Sequence, residues 1–208
     1  MPGSARRGSL VKVTIFDYGA GNLHSLAKAV APVASELRVE EDPSLAVDTD
    51  VLILPGVGAF SAAAERLRTG RSVMRDALLD GLPCLGICLG MQLLMDGSEE
   101  GDGEGLGVIP GNVSKLNATR VPQIGWNEIS PLADPLFDSS PLDVAYFANS
   151  FVCRPADVSG VIAWSTHETD RFASAVRVAN VVGVQFHPEK SSAAGVAFIR
   201  TFIEQARQ

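Results

Sequence analysis

Gly86-Ile87-Cys88-Leu89-Gly90 has the form G-x-C-x-G. A short apolar run precedes it and a helix-prone apolar run, residues 91–95, follows. In that setting the pattern describes a nucleophile elbow carrying sulfur in place of a hydroxyl. The bend is sharp, so the nucleophile takes a strained backbone conformation and its neighbours must be small. The thiol then stands above the sheet edge, and the Leu89 N–H at the helix start faces the place where a tetrahedral oxyanion forms. The same residues also suit a buried cysteine between helix-packing glycines, since cysteine is among the most buried residue types. Cys84, inside the strand, and Cys153, before Arg154-Pro155, are read as structural.

A thiol needs a base. The chain has three histidines, His24, His167 and His187. His24 follows a glycine turn, and His167 falls in a polar loop over residues 165–171. His187 ends the apolar run 181–186 and leads into Pro188-Glu189. In an extended segment i and i+2 share a side. Glu189 is therefore expected beside His187, fixing its tautomer while the other ring nitrogen faces the thiol. Alone, H-x-E also describes a solvated strand end. Its weight comes from the elbow, because both segments fall at carboxyl ends of strands, where doubly wound sheets build their sites.

The elements that must hold these residues alternate. Strands are expected at 11–16, 37–40, 50–54 and 82–87, with helices at 22–30, 61–67 and 72–79 and a break at Thr69-Gly70. That rhythm indicates a doubly wound parallel sheet. Residues 97–111, rich in glycine and acids, read as a loop. Strands follow at 112–116, 144–147, 161–165, 173–178 and 181–186, more antiparallel in character. A helix closes the chain at 192–205, with Val196, Ile199 and Ile203 at helical spacing. The expected fold class is α/β, one domain over residues 10–208 with a mixed sheet, after a disordered tail at 1–9.

With 208 residues, 46% apolar and 20% charged, the chain can bury one sizeable core. Its net charge of −7 argues against a broad nucleic-acid surface. Three sparse cysteines make neither a disulfide framework nor a zinc site. Reduced thiols, no signal sequence and no membrane-length apolar run point to the cytoplasm. Gly19-Ala20-Gly21 fails the dinucleotide pattern, because His24 stands at its third glycine position. No cofactor and no metal are expected.

Together the segments resemble the class I, triad-type glutamine amidotransferases, whose elbow reads G-x-C-x-G-x-Q and whose second signature is H-P-E. Here Gln92 completes the first and His187-Pro188-Glu189 the second. Within that class the chain is similar to the glutaminase subunits of imidazole glycerol phosphate synthase. The segments DYGAGNL (17–23), LPGVGAF (54–60), GWN (125–127) and GVQFHPEKS (183–191) carry that finer match. The resemblance implies a flavodoxin-like sheet and roles at matching positions. Cys88 attacks the glutamine side chain, His187 moves the proton and Glu189 orients His187. Leu89 N–H with an N–H at Gly56 or Val57 forms the oxyanion hole. Gln92, Glu100 and the Ser150-Phe151 backbone hold glutamine. It also implies a (βα)8-barrel cyclase subunit as partner in a heterodimer, and it suggests that Trp126 lies near the partner face. The flexible glycine-containing strand 55–58, whose peptide must present an N–H inward, predicts weak glutaminase activity until that partner binds. The chain has no room for a second domain that would consume the ammonia. Two departures stand out. Gln123-Ile124 replaces a usual His-Met, and Asn149 replaces a usual histidine. The rival readings are a glutaminase for another acceptor, such as anthranilate synthase, and a cysteine hydrolase unrelated to glutamine.

Overall fold

The computed structural model describes residues 11–19 and 23–207. The expected tail at 1–9 and three residues of the DYGAGNL segment, Ala20 to Asn22, lie outside them. In chain order, β1 (Lys12–Phe16) leads through α1 (His24–Val30) to β2 (Glu36–Glu40), and α2 (Pro43–Ala46) leads to β3 (Val51–Leu54). Two helices, α3 (Phe60–Leu67) and α4 (Arg71–Leu79), precede β4 (Cys84–Ile87), which turns directly into α5 (Leu89–Leu93). The second half holds β5 (Gly97–Ser98), β6 (Gly111–Lys115), β7 (Gln123–Glu128), β8 (Ser130–Pro131), α6 (Pro135–Ser139) and β9 (Val144–Asn149). It ends with β10 (Phe151–Pro155), β11 (Val161–His167), β12 (Asp170–Val178), β13 (Val181–Val184) and α7 (Ser192–Gln205).

An eight-stranded sheet runs β2-β1-β3-β4-β13-β12-β11-β8. Its first five strands are parallel and the rest antiparallel. The central strands read as unbroken apolar runs because both of their faces are covered. Successive residues serve opposite layers, as a period of two requires. Val51, Ile53, Leu85, Ile87, Val182 and Val184 pack with Leu26 and Val30 of α1 and with Phe198, Ile199, Phe202 and Ile203 of α7. Leu52, Leu54, Cys84 and Val181 pack with Phe60 and Leu67 of α3, Met74 of α4 and Met91 of α5. This is the doubly wound mixed sheet of an α/β fold. Strand β4, which leads into Cys88, lies between β3 and β13 and is paired on both edges.

Several expectations need correction. Residues 97–111 include a short strand, β5, which pairs with β6. The helix after the elbow starts at Leu89, its first turn closing directly on Cys88, and ends at Leu93 rather than running over 91–95. His167 ends β11 in a tight hairpin with β12, where it faces Asp170, so it is not in a loop. Strands β7, β8 and β10 and helices α2 and α6 leave no mark in the sequence reading. Each helix begins with an Asp-Pro pair, Asp42-Pro43 and Asp134-Pro135. The aspartate caps the exposed amides and proline sits preorganised in the first turn.

Candidate active site

The elbow is built as its glycines demand. Cys88 holds φ 46 and ψ −102, a left-handed conformation that costs an ordinary residue energy. A Cβ on Gly86 would come 2.8 Å from the Gly90 carbonyl carbon, and one on Gly90 would press into the Leu54 carbonyl. Both neighbours must therefore lack a side chain for the bend to close. The Cys88 N–H donates to the Val184 carbonyl at 2.7 Å, tying the nucleophile to β13.

His187 follows β13 by three residues. Its N–H donates to the Tyr146 carbonyl at 2.8 Å. Its own carbonyl accepts from the Ser191 hydroxyl at 2.6 Å, and the Ser191 hydroxyl oxygen in turn accepts the Tyr146 N–H at 2.9 Å. On one side the ring and Cys88 share a cleft, both beside Gly56. On the other, Nδ1 meets Glu189 Oε1 at 2.8 Å. His187 is 2% exposed and Glu189 8%. The meeting of His187 and Glu189 does not come from strand alternation. Pro188–Lys190 is a 3-10 turn, and it folds the carboxylate back onto the ring. Proline's fixed φ starts that turn where a strand would otherwise continue.

The electrostatics follow from this geometry. Burial works against a charged imidazolium at His187, but hydrogen bonds to Cys88 and Glu189, together with their charges, outweigh it and raise the pKa to about 9. His187 thus holds its proton at neutral pH. Cys84 and Cys153 are fully buried, and desolvation pushes both thiols far up, so they stay protonated and inert. Tyr18 is likewise raised by burial, then by Cys88, Asp17 and Glu189.

Cys88 and His187 open into a cleft of about 290 Å³ lined also by Gly56, Val57, Leu89, Gln92, Glu100, Asn149, Ser150 and Phe151. The structure therefore brings every expected site residue to one cleft except Glu189, which stands behind His187. Gly56 touches both reacting groups, since a Cβ there would lie 2.8 Å from His187 Cε1 and 3.1 Å from Cys88 Cβ. Gln92 Nε2 donates to the Phe151 carbonyl at 3.2 Å. Glu100 Oε2 accepts the Phe60 N–H at 3.0 Å at the start of α3, so one of its oxygens already has a structural task. The Ser150 carbonyl accepts from Leu116 N–H. The two substituted positions are register partners, Gln123 opposite Asn149 on the β7–β9 ribbon. Asn149 Nδ2 joins Gln92 on the Phe151 carbonyl at 3.1 Å.

Sequence reasoning missed Lys190, which lines the cleft, and Gln185, whose Nε2 stands 3.5 Å from Cys88 Sγ. Gln185 had a legible signal, a lone amide in the apolar run before His187. His24 begins α1 and His167 bonds the Arg120 carbonyl through Nε2, and neither lines the cleft. Among the described residues no group of three or more His, Cys, Asp or Glu side chains is arranged to hold a metal ion. No helix there is long and apolar enough to cross a membrane.

One face of the β7–β9 ribbon is bare. Ile124 is 68% and Trp126 58% exposed, beside Val144 and an edge-on Tyr146. Ala148 of the same face reaches the cleft rim.

Comparisons with known proteins agree with this geometry. A family model described as glutamine amidotransferase class-I matches residues 14–206. The imidazole glycerol phosphate synthase subunit HisH of Acaryochloris marina is 39% identical, over 94% of this chain and 95% of that one. The HisH subunit of Halobacterium salinarum is 39% identical over 97% and 96%. Among solved structures, PurLQS from Thermotoga maritima matches with a TM-score of 0.74 at 18% identity, over 95% of this chain and 99% of that one. At that identity it speaks for the fold alone.

Proposed function

The chain belongs to the class-I glutamine amidotransferases, and from that premise we propose that it is the glutaminase subunit of imidazole glycerol phosphate synthase, working in histidine biosynthesis. The observation that carries the mechanism is Cys88 and His187 facing one cleft, with Glu189 bonded to the imidazole from behind. Near-full-length likeness to HisH subunits supports the choice of acceptor reaction over anthranilate synthase.

In this reading the Cys88 thiolate attacks the side-chain carboxamide carbon of glutamine. The carbonyl electrons move onto oxygen, which Leu89 N–H and an N–H at Gly56 or Val57 stabilise. The first amides of a helix have no intrahelical acceptor, which suits Leu89 to that task. His187 gives its proton to the amide nitrogen, the C–N bond breaks, and ammonia leaves a γ-glutamyl thioester. His187 then takes a proton from water. The hydroxide adds to the thioester, sulfur departs as thiolate, and glutamate is released. Glu189 holds the imidazole in the tautomer that serves both steps. Gln92, Glu100 and the Ser150-Phe151 backbone receive the amino-acid end. Their carbonyls are already engaged, so the N–H groups of Ser150 and Phe151 are what remain for the substrate carboxylate.

The ammonia goes to a cyclase subunit, in our reading a (βα)8 barrel forming a heterodimer with this chain in the cytoplasm. The bare apolar ribbon face with Trp126 supports a docking surface there, because it adjoins the cleft through Ala148. Partner binding sets the peptide at residues 55–58 and raises a low basal rate. Cys88→Ala tests the whole reading. It abolishes glutamine-dependent turnover of the reconstituted complex and leaves ammonia-dependent turnover intact. Glutamine-dependent activity surviving in Cys88→Ala would refute it.

A further inference from the structure

Within the nucleophile reading just given, we propose that Gln185 is a thiolate-holding residue, its carboxamide N–H donating to the Cys88 sulfur throughout the reaction. Residues 185–187 continue outward from β13. The Gln185 N–H bonds the Ser174 carbonyl at 2.9 Å and the His187 N–H bonds the Tyr146 carbonyl at 2.8 Å. Alternate residues of such an extended piece share a side. Gln185 bonds Cys88 and His187 lines the same cleft as Cys88, while Phe186 between them turns into the aromatic core against Phe147 and Phe198. The Nε2 to Sγ separation is 3.5 Å, an ordinary length for a donor on a large sulfur.

The packing gives no other reason for an amide here. Gln185 is fully buried, and its Oε1 has no hydrogen-bond partner. Ser174, its neighbour on β12, is equally buried with its hydroxyl unpaired, so the two do not satisfy one another. A half-satisfied buried amide is costly where an apolar side chain of similar shape is not. Val181, on the same side of the strand as Gln185, packs in an apolar layer with Leu54 and Met91, so that layer accepts apolar residues. The bond the amide does make is to the sulfur.

Its use differs from that of His187. The imidazole surrenders its proton during turnover, whereas the amide remains a donor at every stage. Of the other titratable groups about the sulfur, Tyr18 and Cys153 are kept neutral by burial, Glu189 acts through His187, and Glu100 and Lys190 line the cleft. The anion therefore depends on two N–H donors, and Gln185 is the one that does not titrate.

The test is the pH profile of iodoacetamide alkylation of the full chain, roughly pH 5 to 9, with the modified cysteine identified by mass spectrometry. Gln185→Met keeps the length and removes the donor, and Gln185→Asn withdraws it by one methylene should the first fail to fold. The expected result is a Cys88 alkylation midpoint about one pH unit higher, a tenfold slower alkylation on the acid side of that midpoint. In the complex, kcat for glutamine falls by a similar factor while KM holds. A purely structural role would leave the midpoint where it is, and that result overturns the proposal. So does a downward shift, which would mean the amide oxygen faces the sulfur. If wild-type Cys88 is not alkylated ahead of Cys84 and Cys153, the nucleophile assignment itself falls.

Discussion

Gly56→Ala probes the site with a single carbon. The new Cβ would lie 2.8 Å from His187 Cε1, 3.0 Å from the Ile87 carbonyl oxygen and 3.1 Å from Cys88 Cβ. Ordinary contact begins at about 3.4 Å, so His187 is short of room by roughly 0.6 Å. The Ile87 carbonyl belongs to a central strand and cannot yield, and the Cys88 backbone is pinned to Val184. The imidazole is left to move, away from the sulfur and against its bond to Glu189. A displacement of this order at the reacting groups costs on the order of a hundredfold in rate. Global stability drops by about 1–3 kcal/mol, as overpacking usually does. Glutamate release by the complex, measured over a range of glutamine concentrations, should show kcat down about a hundredfold with KM within a factor of about three, on the view that mispositioning spares uniform binding. Thermal unfolding checks that the variant is folded. A folded Gly56→Ala enzyme with wild-type kcat would show that Gly56 does not constrain the base, and the proposed contact would be wrong.

Other outcomes follow from the same geometry. His187 is raised to about 9, so its proton is present at neutral pH and lost as pH rises through that value; kcat should fall along an alkaline limb near pH 9. The same raised pKa makes a stability contribution that is complete below the usual histidine value of about 6.5 and gone above about 9, readable from urea unfolding against pH. Glu189→Gln removes the charge that helps hold that proton. It should move the alkaline limb downward and cut kcat by roughly a hundredfold or more, and an unmoved limb would count against the orienting role. Trp126→Ala should weaken association with the cyclase by at least about 2 kcal/mol if the ribbon is the docking face, measured by calorimetry, with the unfolding midpoint of the free chain unchanged. Asp134→Ala breaks a paired contact with Arg177 at 2.7 and 2.8 Å and removes the cap of α6. We expect a loss of roughly 3 kcal/mol in stability without a change in glutamine KM.

The central sheet was legible because covered parallel strands leave a strong mark, continuous apolar runs such as residues 51–54 and 84–87. The elbow was legible because its steric demands select glycine at 86 and 90. What stayed hidden depended on contacts remote in the chain. β7 reads Gln-Ile-Gly-Trp-Asn-Glu, with exposed Ile124 and Trp126 alternating with more covered polar residues, the reverse of the usual amphipathic strand. β10 ends in proline, which weakened its signal. The nearness of His187 and Glu189 was inferred correctly from the wrong cause, since no local pattern separates an extended His-Pro-Glu from a turned one. Glu100 was singled out through the family resemblance, and its bond to Phe60 came from forty residues away.

The two reacting groups rest on supports of unequal stiffness. Cys88 grows out of a strand with neighbours on both sides, whereas the main chain of His187 is moored to Tyr146, on a two-stranded ribbon whose outer surface is bare. Thermal agitation will therefore unseat the imidazole long before it disturbs the sulfur. Amide exchange at residue 187 should run ahead of that at 88. Anything that clamps the ribbon's outer surface will steady the softer of the two halves.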